Sequence, residues 1–574
     1  MCTICAALRP TTAPILEADQ HLSALEKARS ADQPFTMAEA TTTQINTLAT
    51  QLTHGYWQFT GSGPRAFDVA AGGTLTVDLS DLSAVEQTLA RQALSAWTDV
   101  TGIRFAAITP PTVTTVAEVG DVAAGIATTA RMVVNQAFLG DFEQAGDRDA
   151  VRVYLQAGQT YTITLEGRGS NPVNDPYLRL LGANGTILRE DDDSGGGYNS
   201  QITWRATTTG YHYLQAGTYW GDETGAYRMQ ITRGSQAADI SFSNNDTGAY
   251  AYSDLSGTEI LRSYVNIEAN WDTDPIAVNS YWFQTYVHEI GHALGLGHAG
   301  NYNTTADWGV DNRFAFDSWQ ASIMSYFSQT DNPNTGADYA YLATVMPADI
   351  VAIQRLYDGT VRTRQGDTTY GANSNVGGYM QSLFAQWLDG AADRQPIYIG
   401  NPVALTIYDT GGHDTLDFST VGVRQTIHLS TLRASSVAGL DGNLIIAAGV
   451  AIENAIGGRA ADIMVGNAIG NRLVGNGGND VMNGGRGNDV LIGGAGADDF
   501  RFGAGRDVVR DFRDNLDEVW FDRDLWGGAQ RSAQQILNSA RVVDGNTVFT
   551  FGAHVLTVNG VANKMLLADD ILTF

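Results

Sequence analysis

Tyr286-Val-His-Glu-Ile-Gly-His-Ala-Leu-Gly-Leu-Gly-His298 decides how the rest of the chain is read. His288 and His292 stand four residues apart, so a helix places both imidazoles on one face, within reach of one zinc ion. Glu289 falls beside the first of them, placed to act as a general base rather than as a ligand. His298 comes six residues after His292, about 600° of rotation at ~100° per residue, so an unbroken helix would point it elsewhere. The helix must stop between them. Gly295 can turn there, because it has no Cβ to oppose φ > 0. The complete H-E-x-x-H-x-x-G-x-x-H pattern is far more specific than H-E-x-x-H alone. Read instead as ordinary core or surface residues, three of nine histidines would share ligand spacing by accident.

Downstream, Ser322-Ile-Met-Ser-Tyr-Phe327 resembles the Met-turn of metzincins, in the form found in serralysins. A lone methionine is more often plain core packing, but this one follows a full zinc motif. The resemblance implies an α/β metzincin catalytic domain with Met324 as an apolar floor beneath the ligands. It also implies that Tyr326 is an additional zinc ligand, one that swings away to hydrogen-bond the oxyanion of the transition state. The activity implied is hydrolysis of peptide bonds in proteins, with one catalytic Zn2+.

At 574 residues the chain has room for three or four domains. A net charge of −28 and a pI near 4.5 argue against nucleic-acid or anionic-membrane partners. The same acidic groups, with 64 glycines, suit oxygen ligation of a hard cation such as calcium. No run of about 18 apolar residues suggests a membrane span. The first thirty residues lack the basic start and apolar core of a conventional signal peptide. Cys2 and Cys5 are the only cysteines, so stability outside the cell must come from packing and metal. Their position raises the idea that one thiolate reaches the catalytic zinc and keeps a precursor latent; a flexible leader is the plainer alternative.

Residues 1–50 are Ala/Thr-rich and read as a leader or propeptide, with globular composition from His54 onward. Asp81 or Ser83 would cap a helix running to about Val100, with Val85, Leu89, Leu94 and Trp97 as its apolar stripe, and Ile103–Ile108 reads as a strand. This pair is similar to the first helix and strand of a serralysin catalytic domain. The next strand in that pattern has its best match at Ala238–Phe242, so 109–236 reads as an insertion. After a linker to about Gly140, it shows period-two strands at 150–155, 160–165, 177–181, 201–204, 210–214 and 226–231, as in an all-β sandwich. The segment is similar to the bacterial pre-peptidase C-terminal domain. Its Glu190–Asp193 run could bind calcium, although a solvated loop explains it as well. Recruitment of substrate or gating of the cleft is the role expected of the insert. Beyond it, Ala249–Tyr252 is placed like the family's substrate-pairing edge strand, Asn301-Tyr-Asn303 follows the third histidine as in serralysins, and 348–357 has helical periodicity that closes the catalytic domain (51–108 and 237–358).

From 359 to 574 the texture changes. Nine-residue repeats begin at Gly457, Gly466, Gly475, Gly484 and Gly493, in the scheme G-G-x-G-x-D-x-U-x. The sixth position reads Asp462, Asn471, Asp480, Asp489, Asp498 and Asp507; the eighth is always apolar, at Met464, Leu473, Met482, Leu491, Phe500 and Val509. Glycine turns offer carbonyls and the Asp offers a carboxylate, so Gly475, Gly477, Asp480, Gly484, Gly487, Asp489, Gly493, Gly496 and Asp498 are expected at calcium, while the apolar position enters a parallel β-roll. Ala460, Ile469 and Asn471 weaken the first two repeats. A disordered Gly/Asp linker would not keep six apolar residues in phase. Upstream, Arg364, Gly366, Thr368, Asp409, Gly411 and Asp414 resemble one further serralysin calcium site, and Gly412, Asp414 and Glu453 a neighbouring one. The last sixty residues should cap the roll. Asp569-Asp-Ile-Leu-Thr-Phe574 is similar to the tail read by type I secretion machinery.

The expected architecture is multidomain: an α/β metzincin catalytic domain with an inserted all-β sandwich, followed by a C-terminal RTX calcium β-roll. The expected protein is a secreted, monomeric zinc endopeptidase made as a zymogen, folded by several Ca2+ outside the cell, with proteins as substrates. Two alternatives share these features: a calcium-loaded adhesin with a disabled protease fold, and a narrow processing protease gated by the insert.

Overall fold

The computed structural model describes residues 40–70, 72–108, 113–195, 198–233, 238–357, 359, 361–392 and 397–574. Cys2, Cys5 and most of the expected leader lie outside the described residues. The chain forms two compact units, one of the residues up to Ala106 with Asp239–Phe574, the other Ala107–Ala238.

In the first unit, helices α1 (Thr42–Thr50), α2 (Ala84–Thr101), α3 (Tyr281–Ala293) and α4 (Pro347–Leu356) accompany a five-stranded sheet. Its strands are β1 (Thr74–Asp78), β2 (Arg104–Ala107), β3 (Ile240–Ser243), β4 (Ala249–Ser256) and β5 (Glu259–Ile267), in the order β4-β5-β3-β1-β2. Strand β3 runs parallel to both β1 and β5, while β4 is antiparallel to β5 and forms an edge. Ser83, not Asp81, caps α2: its Oγ accepts the Glu86 N–H, and Glu86 returns a bond to the Ser83 N–H at 2.8 Å. Leu89, Leu94 and Trp97 are buried as expected, but Val85 is 56% exposed. It sits exposed in the first turn, so the stripe begins at Leu89.

The last ten residues of the expected leader, 41–50, pack with the first unit. Thr41 and Gln44 form a capping box, and Ile45, Leu48 and Ala49 are buried against the core, so the packed chain already includes 41–50. The Arg355 side chain of α4 donates to Asn46 O at 3.1 Å. Three buried apolar residues in a nine-residue, Thr-rich helix gave no periodicity long enough to read.

The roll belongs to the same unit. Strands of three or four residues stack in parallel, Arg472–Val474 and Val490–Ile492 on one side, Val481–Asn483 and Asp499–Phe502 on the other. Met464, Leu473, Met482, Leu491, Phe500 and Val509 are all at most 1% exposed between the two sheets. Strands Asn546–Phe551, His554–Val558 and Ile571–Thr573 complete the sheets at the C-terminal end.

The second unit is a β-sandwich. One sheet has the order Asp149–Leu155, Gly210–Thr218, Pro176–Leu181, Ile187–Asp191; the other has Thr114–Ala117, Gln136–Phe142, Gly225–Arg233, Thr160–Gly167, Ser200–Arg205. Alternation puts Val151, Val153, Leu165, Leu178, Leu214 and Met229 between them. The expected linker to Gly140 is shorter than read, since Thr114–Ala117 and Gln136–Phe142 are strands. Phe138 and Phe142 enter the core at alternate positions of their strand, on either side of buried Gly140.

Candidate metal centre

Helix α3 carries His288 and His292 four residues apart on one buried face, and its end is enforced locally. Leu294 is its C-cap, and Gly295 takes φ +107°, while a Cβ there would lie 2.1 Å from Arg65 O. Both conformation and space require glycine. Trp57 Nε1 donates to Gly295 O at 2.8 Å and Tyr357 Oη to Leu294 O at 2.8 Å, closing the turn that returns His298 to the other two imidazoles. Trp97 of α2 donates its Nε1–H to Val287 O at 2.9 Å, and Ser263 Oγ of β5 donates to Ala293 O at 2.7 Å, so helix and sheet fix the axis of α3.

Each ring is oriented through Nδ1. His288 Nδ1 lies 2.8 Å from Ile323 O, His292 Nδ1 2.8 Å from Leu296 O, and His298 Nδ1 2.9 Å from Tyr302 O. A carbonyl only accepts, so Nδ1 carries the hydrogen and Nε2 of the neutral ring holds a lone pair. Burial first, then His288, pushes His292 down to about 3; burial and His292 hold His298 well below the ordinary imidazole range. Both rings are therefore neutral. His292 Nε2 faces His298 Nε2 at 2.9 Å, His288 Nε2 is buried with no hydrogen-bond partner among the described residues, and the three ligand atoms lie within 4.8 Å of one another. Three converging imine nitrogens fit a zinc ion, with bonds of about 2.0–2.1 Å.

Around them, Glu289 is fully buried beside His288. Met324 is fully buried under α3, its Sδ 2.6 Å from where a Cβ of Gly291 would stand. The Tyr326 ring centroid is 4.5 Å from that of His298 and 6.3 Å from that of His288, and its Oη accepts the Thr304 N–H at 3.4 Å. A narrow pocket opens beside the triad, lined by Tyr281, Thr285, His288, Glu289, Trp319 and Tyr326.

Two buried carboxylates that the sequence reading passed over stand behind this centre. Asp349 Oδ2 accepts the N–H groups of Ile323 (2.8 Å) and Met346 (2.9 Å), and its Oδ1 accepts Ser322 Oγ–H at 2.5 Å. Burial raises Asp349 to about 7. Asp317 Oδ1 accepts Tyr302 Oη–H at 2.8 Å and Ser325 Oγ–H at 2.7 Å. An Asp in the first turn after Pro347 was a legible signal for the first; nothing in the local pattern marked the second.

In the roll, Asp480 Oδ1 accepts the Asp462 N–H, Asp489 Oδ1 the Asn471 N–H and Asp498 Oδ1 the Asp480 N–H, at 2.8–3.0 Å. The Oδ2 atoms of Asp480 and Asp489 are buried with no hydrogen-bond partner among the described residues and aim into the glycine turns. A Cβ on Gly475 would lie 2.1 Å from Asp480 Oδ2, on Gly484 2.3 Å from Asp489 Oδ2, and on Gly493 2.2 Å from Asp498 Oδ2. Burial raises Asp480 and Asp489 to about 7 and Asp507 to about 8. Such oxygens fit calcium. Of the other expected glycines, Gly487 and Gly496 take positive φ, a Cβ on either would collide with Ile469 O or Gly478 O, and Gly477 bridges to Ala495.

Upstream, Asp414 Oδ1 accepts the Thr368 N–H at 2.9 Å and its Oδ2 is buried with no hydrogen-bond partner among the described residues. A Cβ on Gly412 would meet Gly366 O and Asp414 Oδ1, Glu453 Oε2 accepts the Asp414 N–H at 2.8 Å, and Asp409 Oδ1 accepts the Gly411 N–H at 3.0 Å. Arg364 joins through its backbone position, φ +48°, while its guanidinium pairs with Asp99 of α2. In the second unit, Asp192 and Asp193 cluster with Asp175, whereas Glu190 pairs with Arg179 at 3.4 Å.

Residues 359–525 match the family described as Peptidase M10 serralysin C terminal. Over 343 residues the chain is 36% identical to serralysin of Photorhabdus luminescens, covering 54% of this chain and 67% of that protein. It is 40% identical over 225 residues to serralysin C of Dickeya chrysanthemi (38% of this chain, 43% of that protein). It is 37% identical over 233 residues to metallopeptidase AprA of Pseudomonas marginalis (39% and 46%). The chain thus spans less than half the length of these last two relatives. Among solved structures it is similar to the pre-peptidase C-terminal domain of collagenase from Bacillus anthracis, at 13% identity over 18% of this chain and 93% of that chain. The TM-score there is 0.16, too low to carry an argument.

Proposed function

The chain belongs to the serralysin family, and on that premise we propose that it is a secreted zinc endopeptidase acting on proteins, folded and stabilised by calcium. The observation that carries the reading is the set of three buried imidazoles, each with Nδ1 spent on a backbone carbonyl and Nε2 turned to a common point, beside buried Glu289.

His288, His292 and His298 hold zinc through Nε2. When bound, the ion supplies Lewis-acid activation of the attacking water and of the scissile carbonyl. Glu289 takes the water's proton as the new C–O bond forms, then delivers it to the amine nitrogen as the C–N bond breaks. The Tyr326 phenol donates to the carbonyl oxygen as negative charge develops there. Edge strand β4 pairs with substrate backbone, which satisfies peptide N–H and C=O groups with little side-chain discrimination and supports a broad substrate range.

Calcium takes the aspartate and carbonyl oxygens of the roll and of the site around Asp409, Asp414 and Glu453. With little free calcium inside the cell the crowded carboxylates oppose folding, and the C-terminal tail delivers the chain to type I secretion machinery. Among the described residues no helix is long and apolar enough to cross a membrane. Casein digestion by the wild type against Glu289→Ala tests the reading; equal digestion by both would remove Glu289 from its role.

A further inference from the structure

The three imidazoles differ in what stands behind their Nδ1 partners. His292 leans on Leu296 O, in the turn that ends its own helix. His288 leans on Ile323 O, whose residue is tied by Asp349 to α4. His298 leans on Tyr302 O, and the side chain of Tyr302 ends on Asp317. Asp317 is fully buried, and its single atom Oδ1 receives hydrogens from two separate segments. One is Tyr302, in the loop after the third histidine. The other is Ser325, which directly precedes Tyr326 and whose Oγ also accepts the Phe327 N–H at 3.1 Å. Tyr302 Oη in turn accepts the Tyr326 N–H at 3.4 Å, and the two tyrosine rings lie 4.8 Å apart.

We infer that Asp317 is a positioning residue that fixes His298 and Tyr326 relative to each other, through Tyr302 and Ser325. The inference rests on the zinc-peptidase reading. Two donors converging on one carboxylate oxygen set a fixed distance between their backbones, which a water molecule or an apolar side chain would not do. Burying a carboxylate is costly, and a similar-sized apolar residue would fill the same space more cheaply, so what favours this one is the pair of groups it orients. Asp317 is neither one of the three converging metal-binding groups nor part of the lining of the pocket beside them. Its effect reaches the centre along Tyr302 C=O to the His298 ring, and along the 325–327 backbone to the Tyr326 phenol.

Full-length wild type, Asp317→Ala and Tyr302→Phe, all calcium-loaded, would be compared by chelator competition for zinc, by the visible spectrum of the cobalt-substituted protein, and by kcat and KM on a peptide. Zinc should bind about ten- to a hundredfold more weakly in Asp317→Ala, the range seen when partners of metal-binding histidines are removed. Tyr302→Phe should weaken it in the same direction. Both should alter the cobalt spectrum, and kcat should fall with KM little changed. Variants with lower thermal stability but wild-type zinc affinity and cobalt spectrum would overturn the inference. Should Asp317→Ala fail to fold, Tyr302→Phe decides alone, since it removes one oxygen and leaves the carbonyl that His298 uses. A wild type that binds no zinc would instead overturn the zinc reading, and this inference with it.

Discussion

The Nε2 atoms of His292 and His298 face each other across 2.9 Å, each on a ring whose other nitrogen already donates to a backbone carbonyl. Two lone pairs so placed repel unless a cation or a proton lies between them, and burial disfavours the proton. Replacing His298 by Ala should therefore abolish tight zinc binding, because only two histidine ligands remain. Metal analysis after dialysis checks it; a full equivalent of zinc retained by that variant would contradict the arrangement.

Tyr326→Phe should lower kcat by about a hundredfold or more while KM moves little, as expected for a donor that acts on charge present only in the transition state. Steady-state kinetics on one peptide separates the two constants. An equal change in both would mean that Tyr326 serves substrate binding.

The roll should respond to pH in an unusual direction when calcium is removed. Asp480, Asp489 and Asp507 are raised by burial to about 7, 7 and 8, far above an ordinary aspartate near 3.9. Between about pH 4 and 8 the folded state then holds protons that the unfolded chain has released, so stability falls as pH rises through that window. Chelated protein should melt at a lower temperature at pH 8 than at pH 5.5, and saturating calcium should remove the difference by taking the place of the protons. Circular dichroism melts at the two pH values test this; a chelated protein more stable at pH 8 would refute it.

Asp349→Ala should destabilise the first unit by about 3 kcal/mol or more, since it strands the buried N–H groups of Ile323 and Met346 and the Ser322 hydroxyl. Denaturant unfolding measures it. A loss below about 1 kcal/mol would mean that water replaces the carboxylate.

What the sequence disclosed follows from how local each signal is. The helix carrying His288 and His292, the turn at Gly295 and the phased repeats from Gly457 are written in spacing, and spacing survives without knowledge of the fold. Residues whose role depends on distant partners were not legible. Asp317 reads as one more loop aspartate until Tyr302 and Ser325 are brought to it, fifteen residues before and eight after. Helix α1 was hidden for a related reason: its apolar residues matter only because α4, some three hundred residues on, covers them. Val85 misled in the other direction, its spacing fitting a stripe that α2 buries only from Leu89.

The most direct test of the account is hydrolysis of casein by zinc- and calcium-loaded protein, measured side by side for wild type and Glu289→Ala with zinc content confirmed equal in both. The account predicts progressive cleavage by the wild type and at least a hundredfold slower cleavage by the variant, consistent with removal of a general base worth about 10²–10⁴. Intact casein with the fully loaded wild type, or equal cleavage by the two, would contradict it.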